Sequence, residues 1–269
     1  MNIYVTMWGG NYMFIVFNKQ KIISYLVSFS TVAILFVIAF ATLEGETIVT
    51  SSNVRELPVY NVDIKDKKLS LTINCAWNAD DIDSILETLK NNNIKLTFFI
   101  VGDWADKFPE AVKKISDAGH EIGNHSNTHP HVNNLGETEN IKEIQSCSEK
   151  IEKLTGKKTT LYRAPYGEYN NIVIRSSKAV NHIPVQWNLD TLDYTGLTGE
   201  EMWKRLDGKL SKGSIILMHG GTENTANSLD MIIKNIKQQG FEIVPVSEII
   251  YKENYYIDSN GTQKLKNIE

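Results

Sequence analysis

The stretch 95–129, KLTFFIVGDWADKFPEAVKKISDAGHEIGNHSNTH, decides the fold of this chain. Its first seven residues are mostly apolar and predict a buried strand. Pro109 opens a predicted helix that Gly119 closes, and a short strand over 121–124 then runs into a histidine-rich loop. A strand, a helix and a second strand in this order predict one unit of a parallel α/β sheet.

The same alternation continues on both sides of this unit. Further strands are predicted over 68–74, 160–163, 183–187, 214–218 and 241–244, and further helices over 80–92, 138–155, 169–179, 199–210 and 228–239. About seven alternations fit both a closed or nearly closed barrel and an open doubly wound sheet. No Gly-x-Gly-x-x-Gly pattern follows a predicted strand, so the sequence gives no support to a dinucleotide site.

Composition excludes some classes of partner. The apolar fraction of 42% and the charged fraction of 22% are ordinary for a globular protein. With a net charge of −4, the composition gives no sign of the excess positive charge that binds nucleic acid. Two cysteines do not make a disulfide framework, and no protein partner can be inferred.

The N-terminal region predicts export. Residues 22–43 contain no charged side chain and follow Lys19 and Lys21, so we expect a single transmembrane anchor with residues 1–21 in the cytoplasm. The alternative is a secreted protein cleaved after Ala41. Translation is expected to start at either Met1 or Met13. The predicted order is then a linker over 44–66, the main domain over 67–251 and a polar tail over 252–269.

Polar side chains follow the carboxyl ends of the predicted strands. In a barrel of parallel strands these ends meet at one face, where active sites are built. His125 and His129 lie four residues apart, and neutral imidazole is the commonest side-chain ligand for zinc. The other clusters are Asn74-Cys75 with Asp80-Asp81, Arg163-Ala-Pro-Tyr166-Gly, Asp190-Thr-Leu-Asp193 and His219.

These five clusters resemble the motifs of the polysaccharide deacetylases of the NodB-homology type, carbohydrate esterase family 4, from about residue 69 to residue 250. They are most similar to the sporulation-associated, membrane-anchored (PdaB-like) branch. The resemblance implies a deformed (β/α) barrel with a bound divalent metal, zinc first and cobalt, manganese or nickel as alternatives. It also implies a hydrolase that removes N-acetyl groups from amino sugars, with cell-wall glycan (peptidoglycan) as the expected partner.

The resemblance assigns a role to each matching residue. His125 and His129 match the two metal-binding histidines, and His219 matches the general acid. Arg163 matches the arginine that orients the catalytic aspartate, and Asp190 matches the aspartate that tunes the catalytic histidine. The main-chain N–H of Tyr166 is expected to bind the oxyanion, and substrate contacts are expected from Leu217, Pro165 and Tyr194.

The first motif departs from the family pattern. The usual Thr-Phe-Asp-Asp is here Thr-Ile-Asn74-Cys75, so a neutral amide stands at the general-base position. An amide cannot accept the proton from water, which costs on the order of 10²–10⁴-fold in rate. Cys75 is either a zinc thiolate or a buried structural cysteine. Asp80 or Asp81 is the alternative third metal ligand.

Three hypotheses follow from this departure. The first is an active deacetylase that uses Asp80 or Asp81 in an altered site. The second is a catalytically impaired relative that binds wall glycan as a binding module. The third is a metal hydrolase of the same fold with a different acyl substrate. The sequence does not distinguish N-acetylglucosamine from N-acetylmuramic acid as the target.

Overall fold

The computed structural model describes the backbone of residues 3–8, 11–16, 19–43 and 55–266, and the side chains of residues 20–37 and 55–266. The chain forms two compact units, Met1–Val54 and Arg55–Glu269. In the first unit β1 (Ile3–Trp8) pairs antiparallel with β2 (Asn11–Val16), and α1 spans Lys19–Leu43.

Helix α1 covers the apolar segment that the sequence singles out. Its window Gln20–Val37 has a mean hydropathy of 1.6, and none of that window is buried within the protein. By length and composition this window is able to cross a membrane, and a signal sequence would meet the same test. Residues 44–54 of the predicted linker lie outside the described residues.

The second unit alternates strands and helices. Its strands are β3 (Asn61–Val62), β4 (Lys68–Cys75), β5 (Thr97–Ile100), β6 (Glu121–Asn124), β7 (Leu161–Tyr162), β8 (Ile183–Pro184), β9 (Leu189–Asp190), β10 (Ile215–His219), β11 (Glu242–Ile243), β12 (Tyr255–Ile257) and β13 (Thr262–Leu265). Its α-helices are α2 (Ile82–Asn91), α3 (Gly102–Lys107), α4 (Pro109–Asp117), α5 (Glu137–Thr155), α6 (Asn171–Ala179), α7 (Gly199–Leu206) and α8 (Thr225–Gln238).

Seven of these strands form one curled parallel sheet in the order β8-β7-β6-β5-β4-β10-β9, and β11 adds to the start of β4. In register, Asn74 at the end of β4 lies beside Phe99 of β5 on one side and His219 of β10 on the other. The prediction of a deformed (β/α) barrel of about seven strands is therefore confirmed, and the carboxyl ends of its strands lie at one edge.

The two faces of β4 differ in character because successive side chains point to opposite sides of a strand. Leu69, Leu71 and Ile73 belong to the main apolar core, which packs the sheet against α2, α4, α5, α7 and α8. Cys75 continues this apolar series and is fully buried with it. Asn74 lies on the opposite face, inside the curl of the sheet.

The folded unit extends beyond the predicted boundaries 67–251. The main-chain oxygen of Val59 accepts a hydrogen bond from the N–H of Gln186 at 2.7 Å. The N–H of Val62 donates to the main-chain oxygen of Gly213 at 3.0 Å. Residues 59–62, predicted as linker, thus fill the gap between β8 and the residues before β10. The predicted tail contributes β12 and β13, and β13 pairs parallel with β3. Open strand edges favour such additions because they leave backbone groups unpaired.

Candidate active site

A cavity of about 420 Å³ opens at the carboxyl ends of the parallel strands. Most of the site residues expected from the sequence meet there, although they come from five separate parts of the chain. The residues lining the cavity are Asn74, Ala76, Trp77, His125, His129, Ala164, Tyr166, Gly167, Trp187, Asp190, Tyr194, Leu217 and His219.

The loop after β6 brings His125 and His129 together, with ring centroids 5.0 Å apart. The loop is held by Glu143 of α5, whose carboxylate accepts hydrogen bonds from the Ser126 hydroxyl at 2.6 Å and from two main-chain N–H groups at 2.9 Å. His129 has a φ of 57°, a left-handed conformation that is uncommon for a residue with a side chain. Glu143 was not expected from the sequence, since it lies on the following helix, α5, and outside the histidine-rich loop.

His125 is almost fully buried and has a partner on each ring nitrogen. Its Nδ1 lies 2.7 Å from the main-chain oxygen of Arg163, and its Nε2 lies 3.2 Å from Nδ2 of Asn74. Burial, together with the neighbouring His129, lowers the pKa of His125 well below its ordinary value. The imidazole is therefore neutral at pH 7.

Arg163 is a buried cation below the cavity. Its Nη1 donates to Thr72 Oγ1 at 2.8 Å and to Asn74 Oδ1 at 3.0 Å. Its guanidinium lies over the ring of Phe99, 4.0 Å from the centroid. Complete burial lowers the pKa of Arg163 to about 9, and the negative charge of Asp190 offsets part of this effect. Within the described part of the chain the guanidinium makes no salt bridge. A carboxylate at position 74 would be its direct counter-ion.

His219 is oriented by a carboxylate, but by Asp193 and not by the expected Asp190. Asp193 Oδ1 lies 2.8 Å from His219 Nδ1, and Asp193 Oδ2 accepts the main-chain N–H of His219 at 2.6 Å. The carboxylate of Asp190 instead accepts the N–H of Leu192 at 2.8 Å. Because Nδ1 is engaged, His219 presents its Nε2 as the free ring nitrogen.

None of the three alternatives for a third metal ligand reaches the two histidines. Cys75 points into the apolar core, and burial raises the pKa of its thiol. Asp81 accepts the N–H of Gly221 at 2.8 Å, and neither Asp81 nor Asp80 lines the cavity. Among the described residues, no three His, Cys, Asp or Glu side chains converge to hold a metal ion. The donor set therefore does not fit the metal that the resemblance implies.

Three exposed aromatic rings surround the cavity. Tyr194 and Trp77 contact His219 from two sides, with ring centroids 5.2 Å and 5.1 Å away. Trp77 was not expected from the sequence, although a tryptophan two residues after a buried strand end is a usable signal. Tyr166 has a φ of 58°, and its ring lies beside that of His129, with centroids 4.6 Å apart. Leu217 lines the cavity, whereas Pro165 is buried beneath the turn and does not.

Comparison with known proteins identifies the family of the chain. The polysaccharide deacetylase domain matches residues 61–184. Over 181 residues the chain is 33% identical to the peptidoglycan-N-acetylglucosamine deacetylase of Bacillus cereus, covering 66% of either chain. It is 31% identical over 188 residues to the peptidoglycan-N-acetylmuramic acid deacetylase PdaC of Bacillus subtilis, covering 70% of this chain and 40% of that one. The chain thus spans about two thirds of the first relative and less than half of the second.

Solved structures also share the fold. A carbohydrate esterase family 4 pseudoenzyme from Bacillus anthracis matches with a TM-score of 0.70 and 32% identity, covering 72% of this chain and 69% of that one. A mutant of this pseudoenzyme, described as having restored enzymatic activity, matches with the same TM-score and identity over 72% and 71%. The present chain belongs to the polysaccharide deacetylase family, carbohydrate esterase family 4.

Proposed function

We propose that the cavity binds an N-acetylated amino sugar of the peptidoglycan strand and that the chain retains this sugar without efficient deacetylation. The observation that carries the proposal is Asn74. Its amide lies at the centre of the site, bonded to Arg163 and His125, and has no basic oxygen to accept a proton from water. Aromatic and apolar side chains form the walls of the cavity around it.

The walls suit a sugar ring with an acetamido group. Pockets that bind small ligands have volumes of about 300–1,000 Å³, and this cavity lies within that range. The rings of Trp77 and Tyr194 are about half exposed, so their apolar faces are free to pack on the C–H face of a pyranose. Leu217 offers an apolar surface for the acetyl methyl group. The same chemistry accommodates N-acetylglucosamine and N-acetylmuramic acid.

Deacetylation itself is the second candidate function, and the His219–Asp193 pair favours it. A histidine whose Nδ1 is held by a buried carboxylate is suited to protonate an amine leaving group. Arg163 and Asp190 are also retained, and Asp190 is the carboxylate that lines the cavity. Under this hypothesis Asn74 slows the reaction but does not abolish it.

The two candidates are separated by measuring binding and turnover on the same samples. Full-length chain in detergent, supplied with excess zinc, is tested for pelleting with intact peptidoglycan and for acetate release. We expect the wild type to bind, and Asn74→Asp to release acetate at least about tenfold faster. Equal and rapid turnover by both proteins would make the wild type a deacetylase. Failure of the wild type to pellet would contradict glycan binding.

Binding within the cleft is tested with Trp77→Ala and an oligomer of N-acetylglucosamine. Loss of one stacking ring is expected to weaken the affinity about tenfold, as measured by calorimetry. Tyr256→Ala is the matched control, because Tyr256 is also an exposed ring but lies on β12 and does not line the cavity. Equal affinities for the two variants would place the sugar elsewhere.

We further propose that the chain is anchored by its N-terminal helix with the second unit outside the cytoplasm, and that it acts in sporulation. The apolar window in α1 and the cell-wall substrates of the relatives support the placement. The motif resemblance alone supports the sporulation role. Protease access to the second unit in intact cells, and the timing of expression during sporulation, test these two points.

A further inference from the structure

We propose that Asn74 keeps the two-histidine site free of divalent metal, because its amide donates a hydrogen bond to the lone pair of His125 that a metal would use. The inference concerns the protein without glycan, so it does not depend on sugar binding. It follows from the hydrogen-bonding roles of three residues whose atoms lie within 3.2 Å of one another.

The orientation of the Asn74 amide is fixed by Arg163. A guanidinium group has only donors, so the Asn74 atom that faces Nη1 at 3.0 Å must be the carbonyl oxygen. The NH₂ group of Asn74 then points to the other side, where Nε2 of His125 lies 3.2 Å away. The reverse orientation would place donors against donors and leave the buried guanidinium with one fewer acceptor.

The tautomer of His125 is fixed in the same way. The main-chain oxygen of Arg163 can only accept, so Nδ1 of His125 carries the proton in the 2.7 Å contact. In the neutral ring Nε2 then holds the lone pair and accepts from Asn74. The result is a closed ring of hydrogen bonds from the Arg163 side chain through Asn74 and His125 to the Arg163 main chain.

A metal entering this site would have to break the ring without adequate compensation. It would displace the Asn74 amide from Nε2, leave the buried NH₂ group unpaired and gain only two imidazole ligands. No carboxylate or thiolate among the described residues completes the set. The Arg163 guanidinium is bonded to Asn74 and makes no salt bridge, and the charge of Asp190 offsets it only in part, so it adds the repulsion of a buried positive charge.

Two substitutions at position 74 separate these effects. Asn74→Ala frees the lone pair of His125 but adds no negative charge and no base. Asn74→Asp frees the lone pair and also supplies an anion between Arg163 and the histidines. We therefore expect zinc affinity to rise in the order wild type, Asn74→Ala, Asn74→Asp. A residue without influence on Nε2 of His125 would not give a gain with alanine.

The experiment is calorimetric titration of Zn²⁺ into the full-length chain in detergent, after removal of metal with a chelator. We expect Asn74→Ala to bind one zinc ion at least about tenfold more tightly than the wild type, a change of about 1.4 kcal/mol. The double variant with His125→Ala should lose this gain. Wild-type protein that binds one zinc ion as tightly as Asn74→Ala would overturn the inference.

A second measurement reads the wild type directly and uses a variant only to assign its signals. In ¹⁵N NMR of histidine-labelled protein, His125 is expected to show a protonated Nδ1 and a hydrogen-bonded Nε2, assigned by comparison with His125→Ala. Addition of one equivalent of Zn²⁺ should leave both signals in place. A shift of the Nε2 signal at one equivalent would show that the metal displaces Asn74 readily and would contradict the proposal.

Discussion

Asn74 leaves Arg163 as a buried cation without a direct counter-ion, and this predicts an effect on stability as well as on chemistry. The cost of removing the guanidinium from water is already present in the native protein, so the attraction to a carboxylate at position 74 has to offset only the desolvation of that carboxylate. We expect Asn74→Asp to raise the free energy of unfolding by about 1–2 kcal/mol. Differential scanning calorimetry of metal-free protein measures the change.

Asn74→Leu is the matched control for that substitution. Leucine has a similar volume but removes the acceptor that Arg163 Nη1 uses at 3.0 Å, so it should lower the melting temperature. If both variants melted below the wild type, the argument that Arg163 lacks a counter-ion would be wrong.

The role of Asp193 makes a second prediction at the residue scale. Its carboxylate accepts from the His219 main chain and from the Thr225 hydroxyl at 2.6 Å, in addition to its contact with the His219 ring. Asp193→Ala is expected to cost about 3 kcal/mol, because several buried donors lose their acceptor together. Asp190→Ala removes one acceptor and should cost about 1 kcal/mol. Equal losses in urea unfolding would contradict this distinction.

The sequence contains the information that places Cys75 in the apolar core, but not the information that decides which aspartate orients His219. Leu69, Leu71 and Ile73 alternate with polar residues, so the period of two already places Cys75 on the apolar face and Asn74 on the other. That Asp193 and not Asp190 contacts His219 was not predictable in this way. It depends on the left-handed turn at Leu192, with a φ of 55°, and the sequence gives no clear signal for that turn.

At the scale of elements, the parallel strands were predictable from the sequence. The short segments that add to the edges of the folded unit were not. Buried parallel strands are continuous apolar runs, and such runs are visible in the sequence. The segment 59–62 and the strands β12 and β13 are short and partly polar. They are ordered by the unpaired edges they meet, which only the assembled sheet defines.

Substitution of Gln263 on β13 tests whether β12 and β13 stabilise the second unit. It is fully buried, and its amide exchanges two hydrogen bonds of 2.8 Å with the main chain of Tyr251. Gln263→Ala is expected to cost about 2–3 kcal/mol, because both Tyr251 groups lose their partner. Tyr256→Ala on the neighbouring strand should cost less than about 0.5 kcal/mol, as an exposed substitution. A similar midpoint for both variants in urea would indicate that residues 255–265 form a peripheral tail.

At the scale of the whole molecule, five of the six histidines fall into two groups. His125, His129 and His219 line the cleft. His120 and His182 are buried and do not line the cleft. His120 accepts the main-chain N–H of Leu96 at 3.2 Å and lies against Phe98, with ring centroids 5.3 Å apart. These two side chains serve the fold and give its stability a dependence on pH.

Burial, aided by the charge of Lys95, lowers the pKa of His120 to about 4, and burial also lowers the pKa of His182. In the unfolded chain a histidine titrates near pH 6.5. Between these values the unfolded chain binds protons that the folded chain does not, so stability is complete above about pH 6.5 and falls as the pH decreases toward 4. The loss attributable to His120 is about 3 kcal/mol.

Melting temperatures of the full-length chain in detergent, measured from pH 7.5 to pH 4.5, should therefore stay constant down to about pH 6.5 and fall below it. His120→Asn provides the test, because the Asn oxygen can still accept from Leu96 while the side chain no longer titrates. This variant is expected to melt lower at pH 7.5 but to lose less stability on acidification. If its melting temperature fell as steeply as that of the wild type, the pH dependence would have to come from His182 or from the cleft histidines, whose pKa values burial also lowers.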